Sequence, residues 1–211
     1  MVSGTNIFAG TCGGGVFRST NNGTSWTEVN NGLTSTSVLA LAVSGRNLFV
    51  GTHGGVFLST NNGTSWTAVK TGLPDTSVPH LGENGPQFWV NALAVSPNGA
   101  GGTNLFAGTW GGGVFLSTNN GTNWTAVNNG LTNTFVRALA VSGTNLFAGT
   151  VEGGGVFLST NNGTSWTATS LTNRDVMAFA VSGTNLFAGT WGGGVWRLPI
   201  SDIINAAKGV R

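Results

Sequence analysis

Apolar and polar positions follow the same order four times along this chain. A short apolar run, such as Val156–Leu158, is followed by a polar stretch with two asparagines and a glycine, and then by a tryptophan. The polar stretches are Ser19–Trp26, Ser59–Trp66, Ser117–Trp124 and Ser159–Trp166. Asparagine and glycine tolerate the left-handed backbone of tight turns, so each copy predicts a strand, a turn and a strand. Each tryptophan is predicted to supply a large apolar side chain that fills one module of the core.

The whole repeat is about 40 residues long. Equivalent glycines are separated by 41, 57, 41 and 40 residues; they are Gly10, Gly51, Gly108, Gly149 and Gly189. The long interval contains an insertion at residues 75–87, whose proline, glycine and polar residues predict a loop, and a smaller one at Pro97–Gly101. The clearest unit predicts four strands, at Val38–Ser44, Asn47–Thr52, Gly55–Thr60 and Thr64–Val69. The first of these is almost entirely apolar, which predicts burial on both faces.

Four-stranded units at this period predict an all-β fold, a single five-bladed β-propeller. Its blades are four-stranded and antiparallel, with the Asn-Asn-Gly turn between the third and fourth strands. The predicted blades lie near residues 1–33, 34–74, 88–131, 132–172 and 173–200, and a tail follows at 201–211. A linear β-solenoid is the alternative, although its repeats are usually shorter.

Unit one begins part-way through its first strand and unit five lacks the turn, so the pattern leaves the closure of the ring open. The tail predicts a short capped helix or a loose outer strand.

The four turns resemble the Asp-box, the Ser-x-Asp-x-Gly-x-x-Trp motif of sialidase-like (BNR-repeat) propellers of bacterial type. Asparagine stands at the aspartate position in every copy. The matching residues are Ser19, Asn21, Gly23, Trp26, Ser59, Asn61, Gly63, Trp66, Ser117, Asn119, Gly121, Trp124, Ser159, Asn161, Gly163 and Trp166. The resemblance implies a structural turn on the face opposite the catalytic or binding site. It implies no single function, because the superfamily includes sialidases, sortilin-type receptors, photosystem assembly factors and glucanases.

Composition indicates where the protein is located and which partners it lacks. Only 7% of residues are charged, against roughly a quarter in ordinary soluble domains, while 39% are hydrophobic. A surface of Thr, Ser and Asn favours an extracellular or cell-surface bacterial protein, whose export signal would then lie outside this sequence. The dispersed cations predict no nucleic-acid partner, and the lack of a long apolar segment predicts no membrane insertion. We expect a monomer or weak oligomer. The single cysteine, Cys12, excludes an internal disulfide.

Candidate chemistry is sparse. A sialidase would need a tyrosine nucleophile and three clustered arginines, whereas the chain has no tyrosine and its arginines occupy non-equivalent positions of the repeat. Another glycosidase would need two facing carboxylates, which Glu152 could supply with Asp175 or with Asp75 or Glu83 of the inserted loop. Glu28 and Asp202 are expected to be solvated. The only histidines are His53 and His80, and no metal or cofactor is predicted.

The residues that differ between repeats converge on one end of the predicted propeller. The loop between the second and third strands reads Gly-Thr-x-Gly, and x is Cys12, His53, Trp110, Val151 followed by Glu152, or Trp191. Strand alternation places these loops beside the linkers between blades and beside the insertion. The candidate ligand-binding residues are therefore Trp110, Trp191, His53, Glu152, Arg137, Arg174 and Asp175. Exposed tryptophan among polar residues is typical of sugar or peptide platforms. We predict a non-enzymatic binding or display module for a glycan or protein, with a glycan-processing hydrolase as the alternative.

Overall fold

The chain forms five consecutive antiparallel β-sheets, each built from one repeat. A computed structural model describes residues 1–74, 88–99 and 101–207. Blade 1 contains β1 (Val2–Ser3), β2 (Asn6–Thr11), β3 (Gly15–Ser19) and β4 (Thr27–Glu28). Blade 2 contains β5 (Val38–Ser44), β6 (Asn47–Thr52), β7 (Gly55–Ser59) and β8 (Thr67–Ala68). Blade 3 contains β9 (Val90–Pro97), β10 (Thr103–Thr109), β11 (Gly113–Ser117) and β12 (Thr125–Ala126). Blade 4 contains β13 (Val136–Ser142), β14 (Asn145–Thr150), β15 (Gly155–Ser159) and β16 (Thr167–Ala168). Blade 5 contains β17 (Val176–Ser182), β18 (Asn185–Thr190) and β19 (Gly194–Pro199), and α1 (Ile200–Ala207) follows it.

This architecture confirms the predicted fold class, an all-β five-bladed propeller with antiparallel blades. In every sheet each strand pairs with its neighbour in sequence, and the turns lie between the third and fourth strands. Blade 5 has three strands because its chain continues into α1 instead of an Asn-Asn-Gly turn. Of the two alternatives for the tail, the structure therefore shows the helix. The fourth strand of blade 2 is shorter than predicted, Thr67–Ala68, because the turn occupies the residues before it.

Each turn is fixed by hydrogen bonds from its own side chains. In blade 2 the Ser59 hydroxyl donates to Oδ1 of Asn61 at 2.9 Å and accepts the amide N–H of Gly63 at 2.9 Å. The same Asn61 Oδ1 accepts the amide N–H of Ser65 at 2.9 Å. Asn62 takes the left-handed conformation with φ of 55°. The pattern recurs in blades 1, 3 and 4, so these residues have a complete structural explanation.

The core lies between blades. Among the described residues there are four apolar clusters, and each joins two consecutive blades. The indole N–H groups of Trp66, Trp124 and Trp166 donate to backbone carbonyls of the preceding blade, at 2.7, 2.8 and 2.7 Å. Trp66, Trp124 and Trp166 are 4–5% exposed and each lies in one apolar cluster, as predicted. Each of these clusters joins the blade of the tryptophan to the preceding blade.

The ring is open between blade 5 and blade 1. In the described part of the chain, none of the four clusters joins these two blades. Trp26, which has no preceding blade, is 43% exposed. The predicted burial of both faces of the first strand is also wrong in part, since Leu41 of β5 and Leu139 of β13 are only half-buried. These strands line the centre of an arc that is not closed.

Within the described ranges, no helix has the length and apolar character needed to cross a membrane.

Candidate functional site

The variable loops and the linkers meet at one end of the blades, here called the loop end. Each first strand begins there and each second strand ends there. The backbone ties the two together, because the N–H of Trp110 donates to the carbonyl of Trp89 at 2.9 Å. Two further N–H groups, those of Val151 and Trp191, donate to the carbonyls of Phe135 and Asp175 at 3.1 and 2.9 Å. In blades 3, 4 and 5 the variable loop residue is thus fixed beside the residue that precedes the first strand of its own blade.

Four rings form a continuous aromatic row across the loop end. His53 stacks on Trp89 with centroids 4.4 Å apart and ring planes at 18°. Trp89 is followed by Trp110 at 6.0 Å, and Trp110 meets Phe135 edge-on at 5.3 Å. All four residues are half-buried, so part of each residue remains accessible to solvent. The row runs from the blade 2 loop to the start of blade 4.

A groove continues from this row over blades 3, 4 and 5. It has a volume of about 260 Å³ and is lined by Trp110, Arg137, Val151, Glu152, Asp175, Met177 and Trp191. Trp110 belongs to both the row and the groove. The far wall is Trp191, which is 75% exposed, so the groove is open to solvent. The lining of the groove therefore combines two tryptophans, two aliphatic residues, Val151 and Met177, and three charged residues.

Two of the charged groups of the groove, those of Asp175 and Arg137, form hydrogen bonds. The Asp175 carboxylate accepts the amide N–H of Gly153 at 2.8 Å, which fixes the blade 4 loop. Arg137 reaches Oδ1 of the buried Asn91 at 3.4 Å, and Asn91 itself donates to the carbonyl of Val136 at 3.0 Å. Glu152 is exposed and takes a left-handed conformation, with φ of 56°. The other described non-glycine residues in that region are all asparagines. A glutamate there costs roughly 1 kcal/mol, and such strain is commonly kept at functional sites.

The structure brings together five of the seven predicted site residues. Trp110, Trp191, Glu152, Arg137 and Asp175 line the groove, and His53 lies in the aromatic row. Arg174 lies outside both, with its guanidinium 5.4 Å from the ring centroid of Trp196.

The two remaining described acids lie outside the groove. Glu28 accepts a hydrogen bond from Asn30, and Asp202 belongs to α1. Asp75, His80 and Glu83 lie outside the described residues. Across the described ranges, no three His, Cys, Asp or Glu side chains come close enough to hold a metal ion.

Sequence reasoning missed Trp89, Phe135 and Met177. A signal for them exists in the repeat, because two more positions vary as strongly as the loop position. The residue before the first valine of each first strand is Ser37, Trp89, Phe135 or Asp175. The residue after that valine is Leu39, Asn91, Arg137 or Met177. Comparing these equivalent positions, and not the loops alone, would have found the whole site.

The stacking of His53 gives a first testable expectation. Burial lowers the pKa of His53 below its ordinary value of 6.5, so the ring is neutral at pH 7. The unfolded chain takes up this proton more readily, so stability is full above pH 6.5 and falls as the pH drops through that value. An NMR titration of the imidazole should give a midpoint below 6.5, with His53→Asn identifying its signal. Trp89→Ala should move the midpoint upward, and an unchanged midpoint would contradict the stacked arrangement.

Comparisons with known proteins bear on the fold. No protein-family profile matches the chain, and no curated protein does. Among solved structures it is similar to the extracellular domain of a hybrid two component system from B. thetaiotaomicron, with a TM-score of 0.70 and 18% identity over 93% of this chain and 26% of that one. It is also similar to an ancestral GH74 enzyme, with a TM-score of 0.67 and 24% identity over 88% of this chain and 26% of that one. For the GH74 xyloglucanase from Xanthomonas campestris the TM-score is 0.59 and the identity 19%, over 92% of this chain and 28% of that one.

The chain thus spans about a quarter of the length of each of these three solved chains. At these identities the likeness supports a shared β-propeller fold and nothing finer.

Proposed function

We propose that the chain is a non-enzymatic glycan-binding module of an exported bacterial protein, built on Asp-box turns of the sialidase-like type. The observation that carries the proposal is the continuity of the aromatic row with the groove through Trp110. Every ring in this surface occupies a position that varies between repeats. The constant positions of the same repeat are explained by packing and by the turns.

The surface suits a sugar chain on physical grounds. The apolar face of a pyranose ring packs on tryptophan, while its hydroxyl groups need hydrogen-bonding partners at the rim. Trp110 and Trp191 supply the apolar walls, and Arg137, Glu152 and Asp175 supply a donor and acceptors. Pockets for drug-sized ligands measure about 300–1,000 Å³, so a groove of about 260 Å³ suits a single ring of a longer chain. The row toward His53 would carry the following sugars.

A hydrolase is the second candidate because Glu152 and Asp175 line the same groove. Two features favour binding over catalysis. Asp175 already uses a carboxylate oxygen to hold the amide of Gly153. Glu152 is exposed, whereas a general acid usually gains its raised pKa from an apolar pocket.

Two of the solved structures that share the fold support an extracellular, carbohydrate-related role. One is an extracellular domain and another is a xyloglucanase. These are properties of those proteins, and they guide the choice of probe. Xyloglucan is the first polysaccharide to test, with xylan and mannan beside it.

The test is retention in affinity electrophoresis on each polysaccharide. Losing one aromatic hot spot costs about 2 kcal/mol, or about 30-fold in affinity, so the double variant Trp110→Ala, Trp191→Ala should bind at least about 30-fold more weakly. Trp26→Ala is the matched control, since Trp26 is also exposed but lies at the turns and should leave binding unchanged. Equal retention of the double variant, or no retention of the natural chain, would contradict the proposal. Release of reducing ends that is lost in Glu152→Gln would favour the hydrolase.

A further inference from the structure

The two end blades each leave one face of their sheet uncovered. The front face of a blade is defined as the face turned toward the preceding blade, and the back face as the face turned toward the following one. At the four internal junctions a back face is covered by the next front face. The back face of blade 5 and the front face of blade 1 have no such cover among the described residues.

The back face of blade 5 is exposed at residues that are buried everywhere else. Val195 is 72% exposed, whereas its four equivalents are each 0% exposed; they are Val16, Val56, Val114 and Val156. Gly189 is uncovered as well, because a Cβ atom there would meet only a carbonyl of its own blade, at 3.8 Å. A Cβ atom at the equivalent Gly149 would lie 2.6 Å from Val176 of the next blade. The surface is a valine-bearing sheet face without its neighbour.

The front face of blade 1 is open in the same way. Trp26 is 43% exposed, against 4–5% for the tryptophans of the next three blades. Val2 is 66% exposed and pairs directly with Ile7, so both side chains lie on this face. Ile7 is half-buried, whereas its equivalent Leu48 is fully buried. Exposed apolar surface of this kind usually marks an interaction site.

The four internal junctions identify what fits these faces. Each of them joins a back face with a valine and a phenylalanine, and in three junctions an alanine, to a front face with apolar residues of the second and third strands. The free back face repeats this set with Val195, Phe187 and Ala180, and the free front face repeats it with Ile7 and Phe17. Helix α1 leaves Val195 uncovered, because its buried Ile200 and Ile203 join the cluster between blades 4 and 5.

We propose that the back face of blade 5 binds the front face of blade 1 of a second copy of this chain. The contact continues the series of internal junctions through the two middle strands of each sheet. It is a heterologous contact, since different surfaces meet, so it joins copies head to tail into a ring or a filament. A net charge of +2 gives little repulsion between copies. Neither face includes the groove or the aromatic row, so the contact is independent of ligand binding.

The test uses one charged substitution on each free face. Val195→Asp blocks the back face and Val2→Asp blocks the front face. Both positions are exposed, so each variant should keep the circular dichroism of the natural chain, and its melting temperature at concentrations where the natural chain is a monomer. Val181→Asp is the matched control. Val181 is also an exposed valine of blade 5, but its equivalent, Val141, packs in the cluster between blades 3 and 4. Val181 therefore lies on the front face of blade 5 and not on the free back face. The measurement is mass in solution by sedimentation velocity over a range of concentrations.

The natural chain and the Val181→Asp control should associate as concentration rises, and each blocked variant alone should remain a monomer. An equimolar mixture of Val195→Asp and Val2→Asp retains one complementary pair of faces, so it should form a one-to-one dimer and nothing larger. Three results would overturn the proposal. They are a natural chain that stays monomeric, a mixture that stays monomeric, and a blocked variant that associates by itself.

Discussion

Replacing Trp124 by alanine should lower the free energy of unfolding by about 3–5 kcal/mol, the usual cost of removing a buried aromatic side chain. The ring is 4% exposed and packs in the junction between blades 2 and 3. Its N–H also donates to the carbonyl of Val69, which would lose its partner. Denaturant unfolding followed by circular dichroism measures the change.

Trp26→Ala is the matched control for this substitution. It removes the same side chain from the same turn, but from a site that is 43% exposed and has no preceding blade. We expect a loss of less than about 1 kcal/mol, because little buried apolar area is given up. Equal losses in the two variants would show that the tryptophan stabilises its own turn and not the junction.

Replacing Gly130 by alanine should be similarly damaging. Gly130 has φ of 82°, and a Cβ atom there would collide with the backbone carbonyl of Trp166 in the next blade. Left-handed strain and overpacking each cost about 1–3 kcal/mol, and backbone cannot move aside as a flexible side chain can. The midpoint of denaturant unfolding should therefore fall markedly.

Gly143→Ala separates strain from collision. Gly143 also has positive φ, of 60°, but a Cβ atom there would meet nothing within 4 Å. Only the left-handed cost of roughly 1 kcal/mol should remain. A Gly130→Ala variant no less stable than Gly143→Ala would mean that the two blades are not in contact at this point.

The sequence predicted the parts of this fold that depend on local chemistry. The Asn-Asn-Gly turns, the strands around them and the number of blades follow from residues that act within one repeat. The role of Trp66 was not predictable in this way, because its partner carbonyl belongs to Val29 in the preceding blade. The opening between blades 5 and 1 is likewise a property of the whole arc.

In the candidate site, too, the residues set by one repeat were predicted and those that depend on contacts between segments were not. Trp110 and Trp191 were predicted from one variable position of the repeat, and the structure places both on one groove. Trp89 and Phe135 were missed because they belong to linkers, and their approach to Trp110 depends on the hydrogen bonds that fix the loops. Arg174 was predicted for the site, but its guanidinium lies over the ring of Trp196. A sequence pattern does not show which neighbour a long side chain contacts.

The junctions between blades have a consequence for how such a chain can change over time. Each complete repeat carries a tryptophan for the blade before it and a carbonyl for the tryptophan of the blade after it. Duplication of one coding unit of this kind adds a blade together with both halves of its attachment, so the same kind of contact forms on each side of the new blade. Residues such as Trp110 lie at the opposite end of the blade from these turns. Selection can therefore alter the ligand surface of a new copy without weakening the scaffold that holds it.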